Sequence, residues 1–179
     1  MDGGLEGDGP QNKATVGEMA MNEVELRAPR PGDLSWLQHR HMQVMIPAYG
    51  WDQRYEAHVA HIVGDFLMAH DPARERFWVA DSAGEILGCV GLTRESDARA
   101  RLRLLFVEPE ARGMGLGRRL TETCIAFARE QGYAEVVLWT VSVLEAARKI
   151  YADVGFKMIG AQTSDLSASM CDETWLLKL

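Results

Sequence analysis

The chain has 179 residues, a net charge of −7, 47% hydrophobic and 25% charged residues. That is room for one domain with a real core and hardly two, with the balance of a soluble globular protein and no apolar run near the ~20 residues that span a bilayer. The negative charge excludes a polyanion such as duplex DNA as a partner unless a local basic patch overcomes the repulsion.

Residues 1–22 are glycine-rich, acidic and free of aromatics. They offer too little apolar surface to offset ordering entropy, so disorder is expected there, with Met19 or Met21 as a natural start and the domain running over 23–179. The amino terminus lacks the basic-then-apolar pattern of a secretory signal. Cys89, Cys124 and Cys171 lie far apart without metal-ligand spacing. Both features predict a cytoplasmic protein with small, buried, reduced thiols and no metal.

The folded part begins with a short strand, VELRAP, closed by Pro29 and Pro31. Asp33 is expected to cap a helix carrying Leu34, Leu37 and Met45 and ending before Pro47. After the loop AYGWD, Asp52 can cap a second amphipathic helix bearing Tyr55, Val59, Ile62, Val63, Phe66 and Leu67. RFWVAD and EILGCVGLTR read as an antiparallel hairpin about the turn SAG. RARLRLLFVEP is a strand that begins alternating and ends wholly apolar, as near a sheet centre. A helix follows with Leu116, Leu120, Cys124, Phe127 and Ala128 on one face and Gly132 at its end. EVVLWTV is a buried strand, LEAARKIYADV a short helix stopped by Gly155, and KMIGAQ and ETWLLKL are two closing strands. The strand–helix–strand step across the glycines should be a right-handed parallel crossover, while the rest of the sheet can be antiparallel. The fold class is therefore mixed α/β.

Gly113, Gly115 and Gly117 open the helix that follows the central strand. Glycine there weakens the helix by roughly 1 kcal/mol per residue against alanine. The compensation is an anion site: unpartnered amides and the positive end of the macrodipole, reachable because no Cβ intervenes. A phosphate-binding Walker loop would need Gly-Lys-Ser/Thr, but Arg118 and Arg119 follow Gly117. The Gly-x-Gly-x-Gly spacing also departs from the dinucleotide fingerprint. A flexible turn without a ligand is the plainer alternative.

RGMGLG resembles the Gln/Arg-x-x-Gly-x-Gly/Ala signature of the GNAT family of acetyl-CoA-dependent N-acetyltransferases, and LEAARKIYADVGF is similar to that family's second motif, a helix ending in Tyr-x-x-x-Gly-Phe. The resemblance covers roughly residues 24–179. It extends to the acetyltransferase half of proteins that fuse a MarR-type domain to a GNAT domain, through HRH…YGWD, DPARER, LRLLFVEPEARGMGLGRRL, LWT, AARKIY and the final ETW. The winged helix has no counterpart here, so nucleic-acid binding is not carried over, nor is a membrane partner.

The resemblance implies a GNAT fold: a mostly antiparallel sheet of about seven strands, about four flanking helices and a splayed central parallel pair, 101–108 and 135–141. It implies acetyl-CoA as co-substrate, with its pantetheine arm paired to Leu105, Phe106 and Val107. The segment Arg112, Gly113, Met114, Gly115, Leu116, Gly117 and Arg118 would hold the pyrophosphate, and Ala147 and Tyr151 would lie against the cofactor. Transfer to a primary amine by direct attack in a ternary complex needs a neutral amine, an oriented thioester and a proton for the thiolate. Tyr151 is the implied proton donor, against a plainer role as a packed aromatic. The family often has asparagine where this chain has Leu144. Glu108 is the candidate base, against a surface carboxylate, with Glu95, Asp52 or a water relay as alternatives.

The acceptor, a small molecule or a peptide amine, would be met by His41, Tyr49, Trp51 and Asp52, with Glu173 and Trp175 in reserve; Asp52 can equally be only a helix cap. His39 and His41, two apart on a helix, point to different faces and so do not form a metal pair. Arg99, Arg101 and Arg103 alternate along one strand face, either solvated or facing the 3′-phosphate of CoA. The competing class is a non-catalytic acyl-CoA-binding module, and a homodimer is an assembly the family commonly adopts.

Overall fold

The computed structural model describes residues 24–167 and 170–179; the segment 1–22, expected to be disordered, lies outside the described residues. Seven strands and four helices follow in the order β1 (Glu25–Arg27), α1 (Asp33–Tyr49), α2 (Gln53–Ala69), β2 (Arg76–Ser82), β3 (Glu85–Arg94), β4 (Arg99–Val107), α3 (Leu116–Glu130), β5 (Glu135–Val141), α4 (Glu145–Asp153), β6 (Lys157–Thr163) and β7 (Cys171–Lys178). They form one sheet in the order β1-β2-β3-β4-β5-β7-β6. Among the described residues, only β4 and β5 pair in parallel, and α3 makes their crossover.

The sheet is covered on both faces because its strands alternate. Leu102 of β4 and Val136 and Leu138 of β5 join Leu116, Leu120, Cys124 and Ala128 of α3 on one side. On the other, Phe77, Cys89 and Phe106 meet Leu34 and Leu37 of α1 and Ile62, Val63 and Phe66 of α2. Complete burial of such side chains stabilises the fold by roughly 1.5–3 kcal/mol each.

Two helix boundaries differ from the sequence expectation. Asp33 is not the cap of α1: Gly32 takes that place in a left-handed conformation, and the Asp33 carboxylate instead accepts from the Arg30 amide at 2.7 Å and Arg27 Nη1 at 2.6 Å. A nearby guanidinium outcompetes the helix amides for it. Nor does α1 stop before Pro47; it runs on to Tyr49, and Gly50 closes it with an N–H to the Ile46 carbonyl at 2.8 Å. Proline so near the end forfeits one hydrogen bond and leaves the rest of the helix intact. Asp52 does cap α2, accepting from the Arg54 amide at 2.9 Å. Cys89 and Cys124 are buried, whereas Cys171 is exposed on β7, contrary to the expectation for it.

The break in the middle of the sheet makes the site. The β4–β5 ladder runs from Arg99↔Glu135 to Leu102↔Leu138 and ends there. Opposite β3, the register shifts between Cys89 and Gly91, and at this bulge Leu104 has φ +50. A leucine in that region costs on the order of 1–3 kcal/mol and persists only where its surroundings fix it. Here Leu104 packs against both clusters on the α1–α2 face, and its carbonyl accepts from Cys89 Sγ at 3.5 Å. Beyond the bulge β4 and β5 diverge.

Candidate active site

A cleft of about 400 Å³ opens where the strands part. One wall is Leu105, Phe106 and Val107, whose main chain has no β5 partner. The other is the start of α4, with Ala146, Ala147 and Ile150. Its end is the loop Arg112–Arg118. Gly113 and Gly115 have φ +79 and +80, so only glycine adopts these turns without strain, and a Cβ at either would meet no protein atom within 4 Å. Gly115 is also the N-cap of α3 and supplies no side-chain acceptor. The first amides of that helix are thus left to a ligand at the positive end of its dipole.

Continuous with this cleft is a smaller cavity of about 80 Å³ between the sheet and the helices α1 and α2. Met45, Leu105, Leu144 and Ala147 line both spaces. Tyr151 lies on the cavity wall with its ring edge-on to Phe156 at 5.9 Å. Burial pushes its hydroxyl well above the ordinary phenol range. Opposite are Trp51 and Tyr55, with ring centres 4.4 Å apart, and Trp139, against which His58 packs at 5.4 Å.

His41 is buried in the same wall and held neutral: desolvation lowers its pKa to about 4. Its Nδ1 lies 3.1 Å from the Leu37 carbonyl. A carbonyl only accepts, so this nitrogen carries the hydrogen and Nε2 is the bare one. His58 is also shifted down, first by burial and then by Arg103. Arg103 itself is lowered to about 10, mainly by burial.

Several expected site residues lie elsewhere. Glu108 is buried but lines neither space: Arg40 of α1 holds it in a two-pronged pair, Nε to Oε1 at 2.6 Å and Nη2 to Oε2 at 2.7 Å, in a separate depression. Asp52 is an exposed cap paired to Arg54 and lines neither space. Tyr49 stacks on Trp51 at 5.2 Å but faces the larger cleft. Met114 packs against the core below the loop instead of lining the cleft. Glu173 accepts from Arg148 and from Trp175 Nε1, both at 2.9 Å, and serves the packing of α4. Trp51 and His41 do line the cavity. The sequence reading missed His58, Arg103, Leu104, Trp139 and Thr140 as lining residues. The one signal for Arg103 was its place in an alternating row of arginines.

A family model described as Acetyltransferase (GNAT) family matches residues 34–156. The chain belongs to the GNAT acetyltransferase family. Rat (Rattus norvegicus) N-acetyltransferase 8 is 38% identical over 106 residues, which is 56% of this chain and 45% of that one. The chain thus spans about half the length of the relatives it matches. Among solved structures, an acetyltransferase from Streptococcus agalactiae superimposes with a TM-score of 0.68 at 22% identity, covering 89% of this chain and all of the other. Spermidine N-acetyltransferase from Vibrio cholerae, in complex with CoA and spermine, gives a TM-score of 0.67 at 19% identity over 88% and 96% of the two chains. These likenesses show that the GNAT fold, with its splayed parallel pair, is the fold of this chain.

Proposed function

We propose that the protein transfers the acetyl group of acetyl-CoA to a primary amine by direct attack, in a ternary complex and without a covalent enzyme intermediate. The observation that carries this reading is the continuous path from an uncapped, glycine-lined helix start, along an unpaired strand edge, to a buried tyrosine in an aromatic cavity. Family membership supports it, as do relatives named N-acetyltransferases.

In this reading Gly113–Arg118 take the pyrophosphate, with Arg112 and Arg118 adding charge. The main chain of Leu105–Val107 pairs with the pantetheine amides. Ala147, with only a methyl group at the junction of cleft and cavity, leaves room for the arm. Leu144, where asparagine is common in the family, makes that junction apolar and withholds one polar contact. The amine nitrogen attacks the thioester carbon from the cavity side and the C–S bond breaks. Tyr151 donates a hydrogen bond to the departing sulfur and completes the transfer of its proton as the new nitrogen loses its own. The raised phenol pKa keeps the hydroxyl protonated at neutral pH; it also makes the phenol a weaker acid, so the transfer to sulfur completes only as the amine's own proton is taken up. Glu108 cannot serve as the base while Arg40 holds both its oxygens. His58, exposed at the cavity rim and shifted toward the neutral form by partial desolvation and by Arg103, is the lining group placed to take the amine's proton, alone or through water.

We also infer kinship with the acetyltransferase half of MarR-type fusions from the quoted segments. A cytoplasmic location, self-association as a homodimer, and the absence of nucleic-acid, membrane and metal partners are part of the same reading. The location and the absences rest on the acidic charge and isolated cysteines; the homodimer rests on the assembly the family commonly adopts. Among the described residues, no helix is long and apolar enough to cross a membrane and no cluster of three ligand-type side chains is present.

The deciding experiment is thiol release from acetyl-CoA with an amine panel, the product identified by mass. Binding of CoA without release would favour the acyl-CoA-sensing alternative. No thermal shift at CoA concentrations 100-fold above a working dissociation constant, where ~2.7 kcal/mol of stabilisation is expected, would remove the cofactor assignment.

A further inference from the structure

The arginines on β4 alternate along one face, but they are not equivalent. Arg99 gives Nε to Glu135 at 2.6 Å, and Arg101 gives Nε to Glu95 at 2.6 Å. Arg103, the third, is half-buried and lines the inner cavity beside Trp139, His58 and Leu104. Its one hydrogen bond is a long one, 3.4 Å from Nε to Thr93 Oγ1, and it has no ion pair among the described residues. The carboxylates whose charge reaches it do not bond it: Glu95 is paired to Arg101, and Asp65 lies on the exposed face of α2 beside His61 at 3.3 Å.

Among the described residues, no carboxylate lines the cavity. Both histidines in its wall are shifted toward the neutral form. Asp172, on β7, acts on His58 from outside the lining. A guanidinium withdrawn from water without a counter-ion is costly, and a partner's carboxylate relieves that cost through two parallel charge-assisted hydrogen bonds.

We propose that Arg103 is the anchor for an acceptor that carries a carboxylate beside its amine, so that the enzyme acetylates amino-acid-like compounds with an apolar or aromatic side chain in preference to simple amines or polyamines. This rests on the acetyl-transfer reading above. Trp51, Tyr55 and Trp139 supply the apolar surface for the side chain. A polyamine would bring further positive charge against Arg103 with no lining carboxylate to receive it.

The test is a panel of matched acceptors that differ only at the carboxylate: L-phenylalanine, L-phenylalaninamide and phenethylamine; L-leucine and isoamylamine; with spermidine as the polycation. Thiol release and product mass are followed for the wild type, Arg103→Gln and Arg103→Lys, and calorimetry with CoA checks that each variant retains its cofactor site. The expected result is kcat/KM about 100-fold higher for the carboxylate member of each pair. Arg103→Gln should reduce that ratio to within about fivefold, chiefly through KM, and Arg103→Lys should restore part of it because charge returns without the planar fork. Equal or better use of the amines or spermidine overturns the proposal while leaving acetyl transfer standing, and so does an undiminished ratio in Arg103→Gln. Bound CoA with no thiol released from any acceptor overturns the catalytic reading, and this proposal with it.

Discussion

The outer cleft is defined by main-chain features of the β4 end and the glycine loop, whereas the inner cavity is defined by side chains gathered from α1, α2, β4, β5 and α4. In the first, function depends on what is missing: a Cβ at Gly113 and Gly115, a capping side chain on α3, a β5 partner for Leu105–Val107. In the second, it depends on what is present: a phenol, a neutral imidazole, an unpaired guanidinium and three large aromatic rings. A site made of absences can serve one shared carrier in many proteins, since peptide groups are the same everywhere. A site made of side chains can be refitted to a new acceptor without disturbing the carrier.

That contrast breaks most visibly at Gly115. Gly115→Val forces a β-branched residue into a left-handed turn and puts methyl groups where the ligand belongs. CoA affinity should fall by at least about 100-fold, equivalent to ~2.7 kcal/mol, in a variant that still unfolds cooperatively; calorimetry reads the affinity and urea titration the fold. Unaltered affinity would mean that the main chain of this loop does not hold the pyrophosphate.

In the cavity, a single oxygen should matter as much to rate and little to binding. Tyr151→Phe is expected to lower kcat by ~10²-fold with the KM for acetyl-CoA nearly unchanged. Because burial raises the phenol above its ordinary pKa, the hydroxyl is protonated throughout the neutral range. The ratio of wild-type to Phe rates should therefore be flat from pH 6 to 9. A ratio that falls toward pH 9 would contradict the buried setting of the tyrosine.

His41 gives the same half of the site an acid limit. Its folded pKa is about 4 against an ordinary 6.5. Between those values the unfolded chain binds a proton that the folded chain refuses, so stability is fully present above pH 6.5 and is lost as the pH falls toward 4. The loss reaches about 3 kcal/mol. Urea midpoints should decline more steeply over this window for the wild type than for His41→Gln; parallel slopes would place the imidazole in contact with water.

The smallest effect on activity is expected at Glu108. Glu108→Gln should leave kcat within about threefold, while weakening the tie between α1 and the end of β4 by roughly 1–3 kcal/mol in chemical denaturation. A hundredfold loss of kcat would return Glu108 to the list of bases and shift the boundary between the two regions.

The outer cleft was legible in the sequence because its requirements are local. Glycines at 113, 115 and 117, just after an apolar strand and at the head of an amphipathic helix, state both the turn and the anion site within a dozen residues. The cavity was legible only in part. Trp51 and His41 could be suspected from their loop and helix, but Arg103 looks the same in sequence as Arg99 and Arg101. What separates it is Glu135 and Glu95 neutralising its neighbours, and Glu135 reaches Arg99 only through the β4–β5 pairing. Glu108 misled for the converse reason, since its partner Arg40 lies 68 residues away. Pro47 misled because a breaker's effect depends on how many turns of helix follow it, and here almost none do.

The short parallel ladder between β4 and β5 has a mechanical corollary. Among the described residues it is the only strand-to-strand ladder between β1-β2-β3-β4 and β5-β7-β6, which α3 also bridges by packing, and it runs over just Arg99–Leu102. A carrier lying in the gap would continue that ladder, acting as a borrowed thread between the two groups of strands. Amide hydrogen exchange should then slow along 105–107 when CoA is added, and the two groups should report their loosening together when it is washed away.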